Sequence, residues 1–224
     1  MLRRKPFLLA GCFAAAAAVL VLLLLSVDVA PIAAGDTNVG LSGLNRSIHE
    51  AVGVDMGMFR LSEILGYLSF GIAFVFLVLG ALQTFRRKSL LRVDREILAL
   101  GGLYLIGFVL YVLFDKVVVN CRPILLPGQT EPEPSFPSTH TMMSLLIFGS
   151  AILVVGRYLR NEKLCLALRI LLWVLLVATV AARLISGVHW FTDILGGVLI
   201  SCLLLSLFCA ALRGGSGADA EKKY

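Results

Sequence analysis

The fold class this sequence predicts is all-α and integral to a membrane: a bundle of six transmembrane helices, with an interfacial amphipathic helix between the first two spans. Three observations predict it. Hydrophobic residues make up 59% of the 224 and charged residues only 15%, with a mean hydropathy of +0.94, a balance found in multi-span membrane proteins. Six uncharged runs recur along the chain. The Lys and Arg residues outside those runs fall mostly in alternate loops.

The runs cover Phe7 to Val27, Ile64 to Phe85, Ile97 to Phe114, Thr141 to Gly156, Ile170 to Ala182 and Ile194 to Leu212. A helix needs about 20 apolar residues to cross the hydrocarbon core. The first, second and last runs qualify outright, and the third is close. The other two reach that length if Ser135 to His140 opens the fourth helix and Leu164 to Leu168 extends the fifth, with Arg169 snorkelling to the surface. The chain is expected to form one membrane domain over 1–224, with its core over 60–212 and its first span over 7–27.

Between the first two spans, the outer segment 28–63 carries Leu41, Leu44, Ile48, Ala51 and Val52 at helical spacing, the pattern of a helix lying in the interface. It also contains Asn45-Arg46-Ser47, a glycosylation sequon that matters only in a secretory-pathway host. The segment 115–137 is the predicted active-site loop. Five of the seven prolines stand there, and proline fixes φ and removes a donor, so the loop is stiff and extended. The last outer loop, Ser186 to Val188, is short enough to force Arg183 close to His189.

Orientation follows from the cations. Arg3, Arg4 and Lys5, then Arg86, Arg87, Lys88, Arg92 and Arg95, then Arg157, Arg160 and Lys163, then Arg213, Lys222 and Lys223 share one side of a six-span arrangement. That side is expected to be cytoplasmic, with both termini and the tail 213–224. The net charge of +6 is mostly this asymmetry, helped by anionic membrane lipids, and gives no reason to invoke nucleic acid. The first run is long for a signal peptide, and Pro31 follows the small residues near Val29-Ala30, so an uncleaved first helix is expected.

The five cysteines form no disulfide framework, because only Cys121 falls near the outer face. Nor is Cys121 a phosphatase nucleophile. Such enzymes place an Arg six positions after the Cys, where this chain has Pro127.

What remains is a set of ionisable residues at the borders of apolar runs: Lys116, Arg122, His140, Arg183, His189 and Asp193. Such groups are costly at a bilayer edge, and a cluster of them marks a candidate site. His189 and Asp193, four apart, share a helix face. There a carboxylate can take the proton of one imidazole nitrogen and leave the other as a nucleophile. Arg122 and Arg183 offer planar forks that match phosphate oxygens, and Lys116 adds a point charge. Ser138, Thr139 and His140 open the fourth helix, whose first N–H groups lack intrahelical partners and suit a phosphoryl oxygen. His140 is placed there as a general acid. The plainer alternatives are Ser138 as an N-cap and the cations as headgroup anchors.

Lys116 with Arg122-Pro123, Pro137-Ser138-Thr139-His140, and Arg183 with His189 and Asp193 resemble, in order and sidedness, the three signature motifs of the type 2 phosphatidic acid phosphatase family. That family is the membrane branch of the vanadium haloperoxidase superfamily. The resemblance implies a six-helix phosphatase acting on a lipid phosphate or diphosphate without a metal or other cofactor. It implies that His189 attacks phosphorus, Asp193 orients it, His140 protonates the leaving group, and Lys116, Arg122, Ser138, Thr139 and Arg183 hold the phosphate. This chain departs from the pattern at three places. Lys116 and Arg122 enclose five residues rather than six, which on a helix rotates Lys116 by about 100° and puts Asp115 in its expected place. Thr139 stands for a usual Gly, and Ala182 for a frequent Ser.

The expected function is removal of phosphate from a membrane lipid at the extracytoplasmic face of a cell membrane, through a phosphohistidine. Stretches such as Gly187 to Asp193 are most similar to bacterial members, including undecaprenyl-diphosphate phosphatases. A lipid-to-lipid phosphotransferase of the lipid A type is the enzymatic alternative. A transporter or channel is disfavoured, because no span carries a charge near its midpoint. Substrate identity and oligomeric state are left open by the sequence.

Overall fold

The computed structural model describes residues 4–215. Seven α-helices follow in chain order: α1 (Lys5–Ser26), α2 (Ser42–Val52), α3 (Met56–Arg87), α4 (Arg95–Lys116), α5 (Thr139–Tyr158), α6 (Glu162–Ile185) and α7 (Phe191–Gly215). All but α2 are long and apolar enough to cross a membrane. The chain is a multi-pass membrane protein with the six-helix architecture the sequence predicts. Most of the tail expected over 213–224, with Lys222 and Lys223, and Arg3 at the other terminus, lie outside the described residues.

Helix α5 is the centre of the bundle. Its positions 141–148 are buried without interruption, and α3, α4, α6 and α7 pack around it. Small residues permit this closeness, as is usual where lipid gives helices little hydrophobic drive to associate. A Cβ at Gly149 would come within 2.6 Å of Leu205. Helix α1 lies against α7.

The segment 28–63 is not one interfacial element. A short antiparallel pair, β1 (Ala30–Pro31) and β2 (Asn38–Val39), comes first. Helix α2 follows and docks through its polar face: Asn45, fully buried, donates to Thr192 Oγ1 (3.0 Å) and accepts from Thr192 N (3.3 Å). Leu44 and Val52 are left exposed. Asn45 is therefore unavailable to a glycosylating enzyme in the folded chain.

Helix α3 starts well before the apolar run beginning at Ile64. The Asp55 side chain caps it by accepting from Gly57 N (2.7 Å) and Met58 N (3.0 Å), which satisfies two donors that would otherwise be orphaned. With 32 residues, α3 is about 48 Å long, more than the roughly 30 Å of a hydrocarbon core. Its extra turns carry Ser62 and Glu63 into the bundle interior at the site end.

Candidate active site

The site lies where α4 and α6 end and α5 and α7 begin. The α6–α7 connection needs a left-handed residue, and Gly187 supplies it at φ 65°. This compact turn brings His189 over the bundle, buried to 4% exposure. His189 lines a cavity of about 260 Å³ together with Tyr111, Phe114, Asp115, Arg122, Glu133, Phe136, Thr139 and His140. Two larger grooves of about 610 Å³ lie on the flanks of the bundle and are lined by apolar side chains almost throughout. Neither has a histidine or a carboxylate among its lining residues.

Arg122 NH1 is 3.2 Å from His189 Nε2. A guanidinium can only donate, so Nε2 accepts and keeps its lone pair on the Arg122 side. Burial, reinforced by the positive charges of Arg122 and Arg183, holds the His189 imidazole well below its ordinary pKa. The ring is neutral, as a nucleophile requires. Arg122 is steadied by Glu133, whose Oε2 accepts from Nε at 3.2 Å, and by the Val188 carbonyl at 3.4 Å.

Asp193 is fully buried beside the ring, with Oδ2 3.7 Å from His189 Nδ1. That separation exceeds a hydrogen bond, and Nδ1 has no partner among the described residues. The carboxylate is held by Trp190 N (3.0 Å) and Asn120 Nδ2 (3.2 Å). The pair is adjacent, in the order the sequence places it, without the direct bond expected of it. Hydrogen bonds of this kind are often long until substrate closes the site.

Arg183 is 1% exposed, stacked over the Phe59 ring, and donates through NH1 to Ser62 Oγ and Glu63 Oε1, both at 2.9 Å. His140 stands in the first turn of α5 with Nε2 3.1 Å from the same Glu63 oxygen. Ser138 is buried. Its N–H donates to the Asp193 carbonyl (2.9 Å) and its hydroxyl accepts from Thr141 (3.0 Å), so both its donor N–H and its side chain are engaged structurally. Thr139 lines the cavity, and its N–H belongs to the first turn, which lacks intrahelical partners.

Among the predicted phosphate-binding residues, Ser138 does not line the cavity and Lys116 is turned away from it. Its side chain is 77% exposed and pairs with Asp115 at 2.9 Å. The five-residue spacing to Arg122 is the physical reason, since it turns Lys116 away and leaves Asp115 on the cavity wall. Three residues the sequence reading did not select also belong here: Glu63, Glu133 and Asn120. Glu63 carried the same signal as the others, a charge at the border of an apolar run. Asn120 carried none. Among the described residues, no three His, Cys, Asp or Glu side chains are grouped to hold a metal ion.

Comparison with known proteins agrees with this architecture. The sequence profile of the PAP2 superfamily matches residues 96–214. The fold is similar to the crystal structure of a transmembrane PAP2-type phosphatidylglycerolphosphate phosphatase from Bacillus subtilis, with a TM-score of 0.60, 22% identity, and 97% of each chain covered. No curated protein sequence gives a significant match.

Proposed function

Because the chain belongs to the PAP2 superfamily, we propose that it is an integral membrane phosphatase that hydrolyses a lipid phosphate or diphosphate through a phosphohistidine. The observation that carries the reading is a buried, neutral His189 whose Nε2 lies beside Arg122 on a cavity that also holds His140. In this mechanism Nε2 attacks phosphorus in line with the scissile P–O bond. Arg122, Arg183 and the Thr139 N–H take the developing charge on the phosphoryl oxygens. His140 gives its proton to the departing oxygen. Water then attacks the phosphohistidine, returning its proton to His140 and releasing inorganic phosphate. Asp193 stabilises the positive charge that His189 gains. The guanidiniums and the helix terminus supply what a metal supplies elsewhere, so a chelator is expected to leave turnover intact.

A lipid substrate is supported by the cavity wall, where Tyr111, Phe114 and Phe136 line the same cavity as the charged groups. The cation-rich ends of α3, α5 and α7, and the cation-rich start of α4, lie away from the cavity. By the positive-inside rule the site then faces the extracytoplasmic side. The similar Bacillus protein is a phosphatidylglycerolphosphate phosphatase, so that lipid belongs in a substrate panel with undecaprenyl diphosphate, phosphatidate and lipid A phosphates.

The test is phosphate release by purified variants. His189→Ala abolishes turnover and any trapped phosphoenzyme. His140→Ala slows poor leaving groups by about 10²-fold or more and is partly rescued by an acidic leaving alcohol that needs no protonation. Near-normal turnover by His189→Ala would sink the mechanism. Transfer of phosphate to a second lipid in place of water would reassign the enzyme as a phosphotransferase.

A further inference from the structure

We propose that Glu63 is a positioning residue of this site, one carboxylate oxygen fixing the His140 imidazole and the Arg183 guanidinium in register with each other. The inference rests on the phosphatase reading for its purpose, though not for its geometry. Oε1 of Glu63 lies 3.1 Å from His140 Nε2 and 2.9 Å from Arg183 NH1. Among the described residues, no other bonds to both.

The surroundings are built for this bridge. Ser62, next in the chain, takes the same Arg183 nitrogen at 2.9 Å, and Phe59, one turn earlier, lies under the guanidinium at 5.2 Å. Gly66, one turn later, leaves space for the imidazole, since a Cβ there would stand 3.0 Å from His140 Cδ2. Phe59, Ser62, Glu63 and Gly66 thus form one face of α3, spaced three and four apart, and that face meets α5 and α6 together. Removing Glu63 from this face leaves Arg183, buried to 1% exposure, without its counter-charge. That costs far more than loss of a surface pair.

The chemical consequence concerns the ring tautomer. A carboxylate can only accept, so Nε2 of His140 carries a proton whenever the bridge is made. The free nitrogen, Nδ1, is left to exchange protons with substrate oxygen or water. Glu63 therefore chooses which nitrogen does the work, and does so without touching the phosphoryl group. Other titratable or charged groups around the imidazole are Arg183 on α6, His189 in the turn before α7, Arg122 and Glu133 in the 115–137 loop, and Asp115 at the end of α4. None of these makes a bond to His140.

The chain has three histidines, so ring nitrogens labelled with ¹⁵N can be assigned by deletion: the signal missing in His140→Ala is His140. Two-bond nitrogen–proton correlations in detergent then report the tautomer. Wild-type protein shows His140 with Nε2 protonated. In Glu63→Ala that preference is lost, and Glu63→Gln serves if the alanine variant does not fold. The glutamine amide both donates and accepts, so the preference is lost there too. Turnover of a substrate with a poor leaving group falls about tenfold or more in the same variant. The double variant is little slower than His140→Ala alone, because both changes remove one function. A wild-type spectrum with Nε2 unprotonated, an unchanged His140 signal in a folded Glu63 variant, or additive losses in the double variant would overturn the inference. Wild-type protein that releases phosphate from no phosphate ester would instead overturn the phosphatase reading and leave the spectra to stand or fall separately.

Discussion

Replacing Gly187 by alanine perturbs the turn that carries His189 in two separable ways. At φ 65° an L side chain costs about 1–2 kcal/mol of backbone strain. The larger effect is steric, because the new Cβ would stand 2.1 Å from the Gly53 carbonyl oxygen and 3.1 Å from Val54 Cα. An ordinary carbon–oxygen contact is about 3.3 Å, so the turn and the α2–α3 connection must separate by about 1 Å. The turn is pinned on that side, with Ser186 O accepting from Asp55 N and Gly187 O within 3.0 Å of His49 Nε2. It therefore yields toward the cavity and takes His189 with it. A 1 Å displacement of a reacting group costs about 10²-fold in rate. The assay is phosphate release at saturating substrate, with the melting temperature followed in parallel. Gly128→Ala is the control, since its φ is 88° with nothing within 4 Å of a Cβ: the strain is present and the clash is not. It should keep most of its activity. Equal losses in the two variants, or normal turnover in Gly187→Ala, would refute the steric argument.

Three further outcomes are expected. Lys116→Ala changes kcat/KM by less than about threefold, because the side chain is turned outward; a loss comparable to that of Arg122→Ala would restore it to the phosphate clamp. The depressed His189 pKa makes stability fully present above the ordinary histidine value of about 6.5 and lost as the pH falls below it, at up to about 1.4 kcal/mol per pH unit, since the unfolded chain takes the proton first. His189→Gln should flatten that part of the melting curve against pH, and an unchanged slope would contradict a buried neutral ring. A cysteine placed at Gln129 should react with an impermeant reagent in intact cells while one at Asn161 does not; the reverse pattern would turn the site to the cytoplasm.

Much of the candidate site was legible because ionisable groups are expensive near lipid and few of them are idle. That criterion selected Arg122, His140, Arg183, His189 and Asp193, and these five converge. It applied equally to Glu63, which was instead assigned to the outer segment 28–63 because hydropathy marks where an apolar run begins rather than where a helix begins. The start of α3 is set by the Asp55 cap, two turns upstream of Ile64. Lys116 illustrates the opposite case, where residue type suggested a role and helical phase removed it. Asn120 and Asn45 act through partners 73 and 147 positions away, and no local pattern announces a neutral amide that becomes useful only after the chain has folded. Five of the six spans were predicted within a few residues and α3 began eight residues before its run, since length and apolarity decide spans, whereas β1 and β2 and the polar docking of α2 depend on pairings the runs do not record.

The cavity is lined both by aromatic rings, Tyr111, Phe114 and Phe136, and by charged groups, Arg122 and Glu133 among them, and for a lipid substrate this mixture decides where the products go. Pulling an acyl or prenyl chain into water costs about 0.8 kcal/mol per methylene, so a dozen methylenes would cost about 10 kcal/mol, a penalty of about 10⁷ in equilibrium. A site that takes only the headgroup out of the interface never incurs that penalty. The phosphate departs as a hydrated anion and the alcohol stays dissolved in the bilayer, so the two halves of the broken bond separate into different phases. Re-encounter of the products is then suppressed by partitioning alone, and turnover is driven forward without any moving part of the protein.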